Sequence, residues 1–170
     1  MNNIFKTAAV IFIMSLISSS IFSQNPAGFD KMAREMADKT VPLITYKQVN
    51  KLIKEKKVIV YLDAREIKEF KVSHIKNAKR VGYNNFDLKS INGISKNTII
   101  VVYCSVGYRS GVIGKKLREN GFTSVFNLYG GLFAWANNGN PIVSESKNVK
   151  KVHPYNSKWG KWLKTELHSK

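Results

Sequence analysis

Two kinds of hydrophobic spacing alternate along the chain. Residues 58–62 (Val-Ile-Val-Tyr-Leu) and 98–103 (Thr-Ile-Ile-Val-Val-Tyr) are continuous, largely β-branched runs of the kind that form strands buried on both faces, and 125–128 reads as a third, shorter strand. Helical segments lie between them. Thr45 is placed to cap a helix over 46–56, in which Val49, Leu52 and Ile53 share one face. A short helix is expected from about Glu66 to Val72, another over 110–120 closed by Gly121, and a last one after Gly130-Gly131 through Trp135 to Asn137. Upstream, 29–39 reads as a short helix with Asp30 as its cap. Strands separated by helices predict an α/β fold: a central, mainly parallel sheet flanked by helices on both faces.

The ends of the chain depart from this alternation. Lys6 precedes an apolar run from Ala8, and small serines follow it, so residues 1–23 read as a signal peptide cleaved after Ser23. The competing reading is an N-terminal membrane anchor. The apolar stretch from Ala8 to Phe22 is 15 residues with four serines, short of the ~20 needed to span a bilayer. The expected destination is export, to a periplasm or the medium. The expected layout is a helical extension over 24–39, a domain over 40–143 and a basic tail over 144–170.

That tail carries Lys147, Lys150, Lys151, Lys158, Lys161, Lys164 and Lys170 against Glu145 and Glu166. Trp159, Trp162, Leu163 and Leu167 interleave at helical spacing, as one stripe. Such a segment suits an anionic membrane surface or a protein partner through 147–170. It equally suits docking of the tail onto its own domain, the reading preferred here because Trp is chiefly a packing residue.

Charge and cysteine content narrow the chemistry. The 170 residues hold 28 Lys and Arg against 11 Asp and Glu, a formal +17, with 44% hydrophobic residues. This is too apolar for a disordered polycation. No recognition motif accompanies the charge, so nucleic acid is not an expected partner. Cys104 is the single cysteine, which excludes an intrachain disulfide, and with three scattered histidines it excludes a Cys-rich zinc site.

Cys104 follows a central strand and precedes a helix, at the sheet edge where ligands of open α/β folds bind. The intervening Ser105, Val106, Gly107, Tyr108 and Arg109, with Ser110 at the helix start, form a tight loop whose backbone N–H groups face inward. Such a loop, with the positive end of a helix behind it, cradles an anion and favours thiolate over thiol. A buried core cysteine would belong on a strand or helix face, not at the mouth of a polar turn.

Four ordered segments resemble those of the single-domain rhodaneses, the thiosulfate sulfurtransferase-like family. They are Leu62-Asp63-Ala64-Arg65-Glu66 with Glu69-Phe70, then Ser73-His74-Ile75-Lys76-Asn77-Ala78, then Val102-Tyr103-Cys104 through Arg109-Ser110. The last is Leu128-Tyr129-Gly130-Gly131 with Trp135 and residues 139–143. Ser73 and Asn77 stand where the family usually has glycine, and Gly82 where proline is common.

The resemblance implies a ping-pong sulfurtransferase. Cys104 would take sulfane sulfur from an anionic donor such as thiosulfate as a persulfide and pass it to a thiol, cyanide or a protein acceptor. Residues 105–110 would bind substrate, with Arg109 on the charged donor and Val106 and Tyr108 shaping the rim. Asp63 and Arg65 are candidate supporting residues, and Asp63 could instead cap the following helix. His74 is expected to hydrogen-bond within the fold. No metal or organic cofactor is implied, and the chain is read as a monomer. The alternatives are a binding module that docks a partner or membrane, and more remotely a phosphatase. The family's phosphatases use Cys-x5-Arg, whereas Cys104 and Arg109 enclose four residues.

Overall fold

The computed structural model describes residues 26–170, so the expected leader lies outside the described residues. The chain runs α1 (Pro26–Met36), β1 (Leu43–Ile44), α2 (Tyr46–Lys54), β2 (Ile59–Asp63), α3 (Ile67–Val72) and β3 (Lys79–Arg80). It continues through β4 (Ile99–Tyr103), α4 (Tyr108–Glu119), β5 (Val125–Leu128) and α5 (Gly131–Asn137). It then closes with β6 (Ile142–Ser144), β7 (Lys147–Val149) and the single turn α6 (Ser157–Gly160). The first five strands form one sheet in the order β1-β5-β4-β2-β3, every neighbouring pair parallel.

Period-two alternation along β4 divides the interior. Ile100 and Val102 join Leu62, Val41 and the α4 residues Ile113 and Leu117 on one face. Val101 and Tyr103 join Val49 of α2, Met32 of α1, and Leu132 and Phe133 of α5 on the other. Both faces are covered, as continuous apolar strands require. From β4 the chain turns through α4 to β5, whereas from β2 it turns through α3 to β3 on the opposite side. Strands β2 and β4 stay paired to Asp63 and Tyr103, but the connections leaving their carboxyl ends diverge, which opens a crevice at the switch point.

Several elements differ from expectation for local reasons. Thr45 caps α2 as expected, in a box with Gln48. Asp30 does not cap α1; it lies inside that helix and accepts from Arg34 and from the Tyr129 hydroxyl. Helix α4 begins at Tyr108, not Ser110, because Gly107 takes the cap position at φ 118°. The two-residue strands β1 and β3 are too short to show a period. Asn77 stands at φ 63°, a conformation asparagine tolerates, and Ser73 is extended, so neither position demands glycine.

The tail is not one amphipathic helix. It pairs β7 antiparallel with β6 and then folds back as irregular chain interrupted by α6 and a 3-10 turn at Thr165–Leu167. Val152 and Leu163 are buried in the core that holds α5. Asn137 at the end of α5 pins the tail, its amide donating to Trp162 O (2.8 Å) and its oxygen accepting from Lys164 N (2.9 Å). Trp162 meets Phe29 of α1 edge to face. Among the described residues, no helix is long and apolar enough to cross a membrane.

Candidate active site

Cys104 leaves the end of β4 with its sulfur over the N-terminus of α4. Gly107 N–H donates to Sγ at 3.1 Å, and Ser110 Oγ lies 3.5 Å away. Ser110 Oγ also lies 2.8 Å from Asn127 Oδ1 and 3.1 Å from Gly107 O. The Asn127 amide in turn donates to Gly107 O at 2.8 Å. A side chain on β5 thus fixes both the loop glycine and the hydroxyl beside the sulfur. Helix α4 aligns its dipole with its positive end toward Sγ.

The back of the loop is closed by α5. Leu132 N–H donates to Cys104 O at 2.8 Å and Phe133 N–H to Ser105 O at 3.1 Å. Gly131 makes this approach possible, because a Cβ there would stand 2.5 Å from Cys104 O. Its φ of 59° is a second reason for glycine.

Arg109 does not extend freely into the crevice. Nη1 donates to Glu69 Oε2 at 2.7 Å and Nη2 to Glu69 Oε1 at 2.8 Å, a fork on α3. Nη2 also donates to Ser105 Oγ at 3.1 Å, and that hydroxyl donates to Glu69 Oε1 at 3.0 Å. Burial opposes the charged form of both partners. For Glu69 burial is the largest single influence, but the hydrogen bonds and charge of Arg109, the Glu66 backbone and the Arg65 charge together outweigh it and lower the pKa. Hydrogen bonds from Glu69, with the Cys104 and Glu69 charges, raise that of Arg109. Tyr155 covers the guanidinium, its ring centroid 4.9 Å from Cζ.

Cys104, Ser105, Val106, Tyr108 and Arg109 line one cavity of about 270 Å³. Tyr83, Asn84 and Glu66 also line it, as do Tyr155 and Trp159 from the tail. Gly107 and Ser110 act from behind, through the sulfur.

Asp63 and Arg65 stand apart from this cavity, fully buried and paired with each other, Nη2 to Oδ2 at 2.7 Å. Arg65 Nη2 also donates to Ser73 O at 2.6 Å. The pair ties β2 to the turn after α3, and the cap of α3 is Glu66, not Asp63. His74 stacks on Phe70, sets Nδ1 2.9 Å from Phe70 O, and pairs its backbone with Val143.

Three contributors escape local sequence reasoning: Glu69, Asn127 and the tail aromatics. Glu69 stands in a segment that also holds Lys68 and Lys71, where a carboxylate reads as solvated. Asn127 interrupts the apolar run 125–128, and a buried polar residue in a central strand is the signal that could have marked it.

Residues 45–138 match the model of the Rhodanese-like domain. The chain is 34% identical over 144 residues to an uncharacterised protein of Buchnera aphidicola from Acyrthosiphon pisum, covering 81% of this chain and 98% of that one. It is 29% identical over 126 residues to a tRNA uridine(34) hydroxylase of Buchnera aphidicola from Schizaphis graminum. That match takes in 64% of this chain and 40% of the hydroxylase, so the chain spans about two fifths of that relative. The polysulfide-sulfur transferase homodimer of Wolinella succinogenes superposes with a TM-score of 0.54 at 27% identity, covering 71% of this chain and 90% of that one. With a parallel sheet, a cysteine loop at its switch point and this match over more than half its length, the chain belongs to the rhodanese-like domain family.

Proposed function

We propose that this protein is a sulfurtransferase that carries sulfane sulfur on Cys104. The observation that carries the reading is the sulfur's seat: Sγ meets the Gly107 amide at 3.1 Å, above the start of α4 and at the base of a cavity. A thiolate or persulfide anion placed there is stabilised by fixed N–H and O–H dipoles that need no rearrangement. Cys104 thiolate attacks the outer sulfur of a donor such as thiosulfate. A new S–S bond forms to Cys104, the donor's own S–S bond breaks, and sulfite leaves with the electron pair. An acceptor thiolate or cyanide then attacks the terminal sulfur and returns Cys104 as thiolate. The chemistry is thiol-based and needs no general base once the thiolate is formed.

The test is mass spectrometry of the full chain after incubation with a sulfane donor. A +32 Da species (about one sulfur atom) on Cys104 is expected, together with thiocyanate formation from cyanide. Both should vanish in Cys104→Ala. Equal thiocyanate production by that variant would sink the reading.

A further inference from the structure

We propose that the C-terminal segment makes this site selective for a singly charged organic sulfur donor with an apolar body, in preference to the small dianion thiosulfate. The inference rests on Cys104 being the sulfur carrier and adds the identity of what delivers the sulfur.

The walls carry the first part of the argument. Tyr83 and Tyr108 both line the cavity, with ring centroids 6.4 Å apart. Tyr155 and Trp159 face the same cavity from the tail, outside the residues that match the family model. Four aromatic rings around about 270 Å³ suit a flat or apolar group, whereas a five-atom inorganic ion makes little apolar contact with them.

Charge supplies the second part. A dianion needs an unpaired cation, and the cavity's guanidinium is not one. Arg109 is already matched by both oxygens of Glu69, and the Tyr155 ring lies on its face. Glu66 adds a carboxylate at the rim. One negative charge can still be met by the loop amides; a second gains little. The overall positive charge attracts either anion at long range and does not choose between them.

The third part is how firmly Tyr155 is held. Its φ is 68°, an outlier for a bulky side chain that persists only where the surroundings over-determine it. Tyr155 N–H donates to His153 Nδ1 at 2.9 Å, and Asn156 caps α6 by accepting from Trp159 N at 3.2 Å. Val152 and Leu163, both buried, and the Asn137 pins fix the segment on either side. The aromatic wall is part of the fold.

For a thiosulfonate R–SO2–S⁻ the step balances without a further reactant. Cys104 thiolate bonds to the terminal sulfur, the S–S bond breaks, and sulfinate R–SO2⁻ leaves with the electron pair. The test compares kcat/KM for benzenethiosulfonate and thiosulfate, with cyanide as acceptor, in the full chain. Wild type is expected to favour the aryl donor by about tenfold, mainly through KM. Tyr155→Gly, which suits the positive φ, should lower that ratio about fivefold, and Trp159→Leu should move it the same way. As a check that needs no variant, benzenesulfinate should inhibit at lower concentration than sulfite. A wild-type ratio at or below one, or a ratio unchanged in Tyr155→Gly, overturns the selectivity. Failure of both donors to place sulfur on Cys104 overturns the sulfur-carrier reading itself, and is told apart by the missing +32 Da species (about one sulfur atom).

Discussion

Glu69 and Arg109 grip each other through two parallel hydrogen bonds of 2.7 and 2.8 Å, joining α3 to the first turn of α4. Glu69 is fully buried, and the Arg109 side chain is 13% exposed. The pair braces the cysteine loop from the side, through the Ser105 hydroxyl that both residues contact.

Removing one partner of such a pair leaves the other buried without its counter-charge. Glu69→Gln should therefore destabilise the fold by ~3 kcal/mol, read from urea denaturation midpoints at constant m-value. Arg109→Lys keeps the charge and loses the fork, so it should retain only part of the stability.

The same pair sets an acid limit. Burial raises the Glu69 pKa, but the hydrogen bonds and charge of Arg109, with help from Glu66 and Arg65, bring it below the ordinary value, so the folded state binds fewer protons there than the unfolded state. The stabilisation is complete above the unfolded value of about 4.3 and is lost as the pH falls through the lower folded value. Denaturation of wild type and Glu69→Gln at stepped pH should show a constant gap near neutrality that closes below about pH 4.3. A gap that opened toward acid would reverse the sign.

The residues behind Cys104 should separate binding from turnover. Ser110→Ala removes the hydroxyl 3.5 Å from the sulfur, and kcat should fall about tenfold with the donor KM little moved. Asn127→Ala strips a partner from both Gly107 O and Ser110, costing about 2 kcal/mol of stability in thermal or chemical melts as well. A rise in KM with kcat unchanged would count against a role at the sulfur.

What could be read from the chain and what could not divides along sequence distance. The run 98–103, the polar loop and the helix after it are local patterns, and by themselves they place Cys104 at the sheet edge. Gly107 shifts the helix start by two residues because its positive φ makes it the cap, a choice that propensity alone does not express. Glu69 lies 40 residues from Arg109, and Asn127 lies 17 from Ser110. Nothing local tells the Glu69 carboxylate from a solvated one, and the break Asn127 makes in its strand does not name its partners. The tail shows the same limit in reverse. Its Trp and Leu spacing reads as a helix, but Pro154 and the positive φ of Tyr155 bend the chain, and burial of Val152 and Leu163 decides its path.

Close backbone approach makes Gly131 the least replaceable residue near the loop. In Gly131→Ala the new methyl would stand 2.5 Å from Cys104 O and 2.6 Å from Ser105 O, at a φ of 59°. The loop or α5 must shift, at a cost of about 2 kcal/mol. Melting temperature and the rate of persulfide formation should fall together, since the displaced carbonyl belongs to Cys104 itself.

Leu163 offers a way to disturb the tail without touching the cavity. It is 1% exposed, packs in the core cluster that holds α5, and donates its backbone N–H to Gly160 O at 2.8 Å at the end of α6. Leu163→Ala should cost ~3 kcal/mol, the usual loss for a buried leucine whose site only partly collapses. If the tail were mere covering, that loss would appear in melting and leave donor preference alone. Because α6 carries Trp159 to the cavity and Tyr155 precedes it, loosening the segment should also lower the aryl-to-thiosulfate kcat/KM ratio, in the direction of Tyr155→Gly. Kinetics well below the variant's melting temperature separate the two outcomes, since residual unfolding lowers the rate with both donors equally and leaves their ratio unchanged.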